Sequence, residues 1–348
     1  MKISIGANIK EGPWGGGNLF FKNLSNYLIE NGHEVVYDLH SKDIQVILLT
    51  DPRYLSESSA YDYRDIKIYK KFINKNVKVI QRINECDERK NTAGLNSFII
   101  KSSKVADIKV FVSTWLKNLY ESQGIETKNN LVILSGSNPI IFNNNNQRMW
   151  NRNEPMKIVT HHWGANWNKG FDTYELLDRL LNIPQFKKKF SFTYIGNLPK
   201  NFSFNNSKHI PPLEGIELSK ELQKNDLYIT GSLNEPSGNH HIEGSLCGLP
   251  VMYIDSGGIT EYANEYGIAY NLENVQEKLE EVLLTYEKLY QKMDSYPFTS
   301  EKMSMEYEEL FNIVITNNLQ VSNNYISMFL FKKFLKMKYL LKKLIIND

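Results

Sequence analysis

Two glutamates with seven residues between them, Glu235 and Glu243, carry the strongest chemical signal in this sequence. They enclose Pro236-Ser237-Gly238-Asn239-His240-His241-Ile242 and follow closely on an apolar run, Leu227–Thr230. Gly238 has no Cβ, so backbone amides beside it can approach an anion. A helix opening near Asn239 adds the positive end of its dipole. Ile242 and Leu246 form that helix's buried i, i+4 pair, which places Glu243 about 100° round from Ile242. Gly248 and Pro250 stop the helix. Both carboxylates then face the C-terminal edge of a sheet, where open α/β folds hold their ligands. A single glutamate at a helix start would be no more than a partner for the dipole. Two of them, with a glycine and a helix start between, point to recognition of a polar, anionic ligand. His240 and His241 are neighbours on the helix, so their rings diverge by about 100° and cannot chelate one ion. Hydrogen bonding is their expected role. No Asp-x-Asp pair suggests a metal, and none is expected.

Other loops have chemistry of their own. In Trp163-Gly164-Ala165-Asn166-Trp167-Asn168-Lys169-Gly170, Lys169 stands just before a helix, where its charge and the dipole both favour a phosphate. A solvated loop lysine is the plainer alternative. In Gly12-Pro13-Trp14-Gly15-Gly16-Gly17-Asn18, three consecutive glycines let backbone N–H groups close on a ligand at the next helix start. The spacing is not G-x-G-x-x-G, no acid follows at the ribose distance, and a plain tight turn fits equally well. The stretch from Gln81 to Lys90 gathers polar groups at a strand end. It reads as an acceptor side, with Arg82, Asn84 and Asp87 as candidates, against the alternative of a charged surface loop.

The elements that position these loops alternate short apolar runs with amphipathic stretches, the pattern of parallel α/β layers. Strands are expected at Ile3–Ala7, Val35–Asp38, Val46–Leu49, Val77–Ile80, Val110–Val112 and Leu131–Leu134. A second series follows at Lys157–Thr160, Phe190–Ile195, Leu227–Thr230 and Val251–Ile254. Helices are expected at Leu19–Glu30, Trp115–Ser122 (capped by Ser113), Phe171–Leu181, Leu218–Lys224, Asn239–Leu246, Val275–Lys292 and 299–316. The polar run from Asn143 to Glu154 reads as a linker between two Rossmann-like domains, 1–145 and 154–298. A single large sheet is the alternative, which the linker's composition opposes.

Composition agrees with this. The 348 residues suffice for two domains, and 41% hydrophobic with 23% charged residues is a globular balance. A net charge of +2 gives no reason to expect nucleic acid. Cys86 and Cys247 make neither a disulfide framework nor a metal spacing, which suits a reducing cytoplasm. The opening residues lack a signal peptide's apolar core, and no run of 18 uncharged apolar residues offers a membrane span.

The segments Leu227–Glu235, Glu243–Val251 and Asp255–Glu261 together resemble the donor-binding region of family 4 retaining glycosyltransferases of the GT-B fold. Asn31–Val35 and Val112–Leu116 look like stretches of their N-terminal domain, and Lys169-Gly170 is similar to their phosphate-binding Lys-Gly. The resemblance covers roughly residues 1–316. It implies that 154–298 binds a nucleotide-sugar donor, with Glu243 on the ribose, Glu235 on the sugar hydroxyls and Lys169 on the diphosphate. It further implies backbone amides from Gly238 and Asn239, approach of Gly16 and Gly17 from the facing domain, and Asn197 near the base. Many members carry an arginine five residues before the lysine, where this chain has Gly164. Arg82 or a histidine of His161-His162 is then expected to supply the second positive charge. The implied reaction retains configuration: the donor phosphate takes the acceptor's proton, and no metal or cofactor takes part, the nucleotide sugar being a substrate. An inverting reaction would need a base such as Asp87 or Glu85. The implied acceptor is a glycan or glycolipid of surface polysaccharide synthesis. An epimerase of the same fold and a non-catalytic sugar-nucleotide binder are the rival readings.

The last segment, 320–348, differs in character. Ile326–Ile346 holds six lysines and no acid. At about 100° per residue, Leu330, Phe334, Met337, Leu341, Leu344 and Ile345 share one face, and Lys332, Lys333, Lys336 and Lys343 the other. Lys338 and Lys342 flank the apolar face and are expected to snorkel. This is the pattern of an interfacial helix on an anionic membrane, with a helix packed back on the domains, or a dimer contact, as the alternative.

Overall fold

A computed structural model describes residues 1–9, 15–54, 56–316 and 328–347. Gly12–Trp14 of the glycine loop, residues 320–327 of the tail, and the side chains of Lys343, Leu344 and Ile345 lie outside the described residues.

The first half runs β1 (Lys2–Ile5), α1 (Gly15–Glu30), β2 (Glu34–Val36), β3 (Val46–Leu49), α2 (Tyr63–Phe72), β4 (Lys78–Ile83), α3 (Asp87–Lys90), α4 (Leu95–Ser103), β5 (Ile108–Phe111), α5 (Thr114–Ser122) and β6 (Asn130–Val132). The second continues with β7 (Met156–His162), α6 (Phe171–Leu180), α7 (Pro184–Lys187), β8 (Phe190–Gly196), β9 (Lys208–Ile210), α8 (Gly215–Leu222), β10 (Leu227–Thr230), α9 (Asn239–Leu246), β11 (Val251–Ile254), α10 (Thr260–Ala263), β12 (Gly267–Tyr270) and α11 (Val275–Lys292). Two helices close the chain, α12 (Ser300–Thr316) and α13 (Met328–Asn347).

Each half forms one parallel sheet of six strands, ordered β2-β1-β3-β4-β5-β6 and β12-β11-β10-β7-β8-β9. The central strands β3 and β10 are buried throughout, as apolar runs covered by helices on both faces must be. Strand order reverses beside β1 in the first sheet and between β7 and β10 in the second. Crevices open at such reversals, and the loops leaving β1, β7 and β10 are three of the four that the sequence singles out. The fold is GT-B, two Rossmann-like domains of similar size.

Some elements depart from expectation. Helix α1 begins at Gly15, so Gly16 and Gly17 form its first turn. Ser113 does cap α5, accepting from the Leu116 amide. Asp62 accepts from the Arg64 and Asp65 amides while the Asp65 carboxylate returns to the Asp62 amide, a capping box that starts the unanticipated α2. Helix α12 follows the second sheet in sequence yet packs on the first domain. There Met303, Tyr307, Phe311 and Val314 join Phe20, Phe21, Leu24 and Leu28 of α1 in one apolar core.

Helix α13 corrects the expected orientation of the tail. Lys338 Nζ pairs with Asp62 Oδ2 at 2.9 Å and Asp65 Oδ2 at 2.7 Å, and Lys342 Nζ donates to the Ser56 and Ser59 carbonyls. Phe331 is buried 5.8 Å from the Tyr69 ring. The two lysines thus point into the first domain instead of snorkelling, because the acidic first turn of α2 draws them in. Leu330, Phe334, Met337 and Leu341 remain exposed on the outward side. No helix among the described residues is long and apolar enough to cross a membrane.

Candidate active site

Two helix starts meet between the domains. A Cβ built on Gly16, in the first turn of α1, would stand 3.0 Å from Asn239 Cγ in the first turn of α9. The residue before Asn239, Gly238, has φ +81°, and a Cβ there would strike the His240 and His241 rings. Only glycine fits this entry into α9. The sequence-predicted Gly16, Gly238 and Asn239 are therefore brought to one place, Gly17 opens onto free space, and the two dipoles converge on it.

Glu235 lies beneath these helix starts, 4% exposed. Its Oε2 is 2.5 Å from Lys169 Nζ and its Oε1 3.0 Å from Arg89 Nε. Gly170, with φ +104°, turns the chain after Lys169 so closely against Gly231 that a Cβ would stand 2.6 Å from its backbone. This contact sets Lys169 beside Glu235. Burial pushes the Glu235 carboxyl up, but Arg89 and Lys169 outweigh it and hold the group at about 2. Burial lowers Lys169 below the ordinary lysine value against the attraction of Glu235. Burial also opposes the charge on Arg89, yet Glu235 and Glu85 keep it above the ordinary arginine value.

Glu243 is equally buried. His161 Nε2 lies 2.9 Å from its Oε2, and Ser137 Oγ donates to its Oε1 at 3.2 Å. The other His161 nitrogen is 3.2 Å from the Tyr228 hydroxyl. His240 meets Thr230 Oγ1 at 2.9 Å, and His241 Nε2 donates to the Ser237 carbonyl, so each makes the expected hydrogen bond. Burial holds His162 and His240 well below the ordinary histidine value and His241 at about 4. His162, with Nε2 2.6 Å from the Tyr174 hydroxyl, is thus neutral and does not supply the second positive charge. No group of three His, Cys, Asp or Glu among the described residues is placed to hold a metal ion.

The remaining candidates lie in several places. Asn197 donates to the Trp163 carbonyl at 2.8 Å, bridging the loops after β7 and β8. Asn84 follows β4 and is half-buried. Arg82 is buried with its guanidinium 4.0 Å from the Phe20 ring centroid and beside the Tyr307 hydroxyl. It belongs to the core under α1 and α12, so it is not the cation beside Lys169. Asp87 accepts from the Leu95 and Asn96 amides and from Thr92 Oγ1, which commits it to starting α4. Glu85 Oε1 is paired with Arg89 and Lys90. Sequence reasoning missed Arg89. Its i, i+4 spacing from Glu85 reads as an ordinary surface pair, and Glu235, its other partner, is remote in sequence.

The domains are joined around this site. Glu261 accepts from the Thr114 and Trp115 amides at 2.8 and 2.9 Å, so the second domain caps α5 of the first. Tyr262 donates to the Val112 carbonyl and accepts from the Ser135 amide. A cavity of about 370 Å³, lined in part by Tyr54, Tyr61, Leu335 and Tyr339, separates α13 from the loops after β2 and β3.

No protein-family profile matches the chain, and no curated protein matches it. Solved structures do. Sucrose-phosphate synthase from Thermosynechococcus elongatus aligns with a TM-score of 0.65 at 13% identity, covering 91% of this chain and 100% of that one. A glycosyltransferase from Rickettsia africae aligns at 0.63 and 15% identity, covering 91% and 98%. HepE from Anabaena, solved with UDP, aligns at 0.66 and 12% identity, covering 90% and 99%. The likeness establishes the shared two-domain fold.

Proposed function

We propose that the protein is a glycosyltransferase that moves a sugar from a nucleotide-sugar donor to an acceptor hydroxyl. The buried Lys169–Glu235 pair beside Gly238, where the start of α9 faces Gly16 of α1, carries this reading. A diphosphate fits there, with helix-end amides at Gly16, Gly17, Gly238 and Asn239 and the Lys169 ammonium meeting its charge. Glu235, held ionised, accepts hydrogen bonds from donor sugar hydroxyls. Glu243 exchanges Ser137 for the ribose, and Asn197 lies toward the base. That HepE and its complexes hold UDP and UDP-glucose makes a uridine nucleotide the first donor to try.

The reaction we propose retains configuration, the donor phosphate taking the acceptor's proton, a reading supported by the use of Asp87 at the start of α4. We further propose that the enzyme needs neither cofactor nor metal, and that activity survives EDTA. The acceptor is a glycan or glycolipid at an anionic membrane, which α13 meets with Leu330, Phe334, Met337 and Leu341 while Lys332 and Lys336 lie to one side. A thermal-shift screen of nucleotide sugars followed by a donor-hydrolysis assay tests the reading. A stabilising donor that slowly yields free nucleoside diphosphate supports a transferase. An isomerised sugar means an epimerase, and binding without turnover means a binding protein.

A further inference from the structure

We propose that Arg89, which belongs to the first domain, supplies the second positive charge at the donor's diphosphate. The proposal rests on the reading of the Lys169–Glu235 site as a nucleotide-sugar site. The cations paired with Glu235 are Arg89, with Nε at 3.0 Å, and Lys169, with Nζ at 2.5 Å, while burial holds His162 and His240 well below the ordinary histidine value and His241 at about 4. Lys169 comes from the second domain. Its loop offers no second cation, since Gly164 and Ala165 lack charge and Asn166 and Asn168 are amides.

Arg89 is held onto that loop by its backbone. Asn168 Nδ2 donates to the Arg89 carbonyl at 3.3 Å, and Asn234 Nδ2 to the Glu88 carbonyl at 3.4 Å. Two loops of the second domain, one next to Lys169 and one next to Glu235, thus clamp the short helix α3 at the cleft. The guanidinium turns inward, with Nη1 3.0 Å from Glu85 and Nε 3.0 Å from Glu235 Oε1. The Nε–H is buried and makes no aligned hydrogen bond. A phosphate oxygen between Arg89 and Lys169 gives it one, and the planar guanidinium can meet a phosphate with two parallel N–H groups.

On donor binding, Glu235 turns to the sugar hydroxyls, and Arg89 and Lys169 face the phosphates. The bond from the anomeric carbon to the β-phosphate oxygen breaks with its electron pair left on that oxygen. The anomeric carbon bonds the acceptor oxygen, whose proton passes to the phosphate. The two cations stabilise the charge that gathers there. One cation comes from each domain, so the site is complete only with the cleft closed.

Isothermal titration of the full chain with UDP, GDP and ADP, and with the matching monophosphates, tests this. Wild type binds one diphosphate. Arg89→Gln lowers that affinity about 10- to 100-fold while the monophosphate changes less than about twofold. Gly164→Arg in the Arg89→Gln background restores most of the loss. A Cβ at 164 meets only ordinary contacts and points along Lys169, 3.7 Å from its Cε. Should Arg89→Gln fail to fold, Arg89→Met, which keeps an apolar stem without the charge, carries the test, and a loss confined to the diphosphate is again expected. Unchanged diphosphate affinity, or an equal loss for monophosphate and diphosphate, overturns the proposal and leaves the nucleotide site standing. A wild type that binds no diphosphate overturns the site reading and this proposal with it.

Discussion

His161 Nε2 lies 2.9 Å from Glu243 Oε2 and joins the end of β7 to the middle of α9. Ser137, from the first domain, holds the other carboxylate oxygen. Glu243→Ala therefore raises the donor KM about tenfold with kcat within about twofold, since a hydrogen bond to a charged group contributes ~1.5–3 kcal/mol. His161→Gln gives a smaller rise, because the Glu243 carboxylate itself remains to meet the ribose. Steady-state kinetics check both, and a Glu243→Ala enzyme with unchanged KM contradicts the ribose role.

Acid should destabilise the fold in two stages. Burial keeps His241 at about 4 and His162 and His240 well below the ordinary value. The unfolded chain binds those protons near pH 6.5, so their contribution is whole above that pH and is lost as pH falls toward 4. The His241 shift alone corresponds to about 3 kcal/mol. Glu235 is lowered from 4.5 to about 2, and its contribution is present above pH 4.5 and lost between there and 2. Urea unfolding at pH 7.5, 6 and 5 should show the midpoint falling, and His241→Asn should flatten the fall. A midpoint constant from pH 7.5 to 5 contradicts the buried neutral cluster.

Glu261 is a helix cap supplied by the opposite domain. Glu261→Ala removes the carboxylate from the Thr114 and Trp115 amides and costs about 1–2 kcal/mol. Because the cap spans the cleft, the variant should also be more open, visible as a larger radius of gyration in small-angle scattering. An unchanged melting temperature and radius would show that the contact does not hold the domains.

The tail can be tested by its two faces. Leu330→Ser with Phe334→Ser and Met337→Ser should reduce co-sedimentation with anionic liposomes without lowering the melting temperature. Lys338→Glu should lower it, because two buried acids then face a third. Deleting 320–348 should reduce liposome binding and leave nucleotide affinity unchanged. Equal sedimentation of the deletion and the full chain sinks the membrane reading.

The sequence shows best what is local. Leu227–Thr230, Asn239–Leu246 and Val275–Lys292 appear with the expected bounds because each is an uninterrupted strand or helix period with its own stop signals. Strand β9, Lys208–Ile210, has one apolar residue among three at a sheet edge and leaves no periodic trace. Helix 299–316 was legible, but its place was not. The apolar face of α12 does not say which domain it will cover, and it returns to α1. Glu235 and Lys169 were readable as chemistry, whereas Arg89 and Ser137 become partners only across the two domains, and His161 only once β7 and α9 pack together. Tail periodicity located the apolar stripe but not the acids on α2 that decide which lysines turn inward.

The central claim is that the ionised Glu235 carboxylate holds the donor sugar, and Glu235→Gln tests it most directly. The amide keeps the shape but leaves Lys169 without its counter-charge and Arg89 with Glu85 alone, so a lower melting temperature is expected and assays belong well below it. Sugar release from the stabilising donor should fall by about 100-fold or more, while affinity for its nucleoside diphosphate stays within about threefold. Turnover by Glu235→Gln close to that of the wild type would contradict the account.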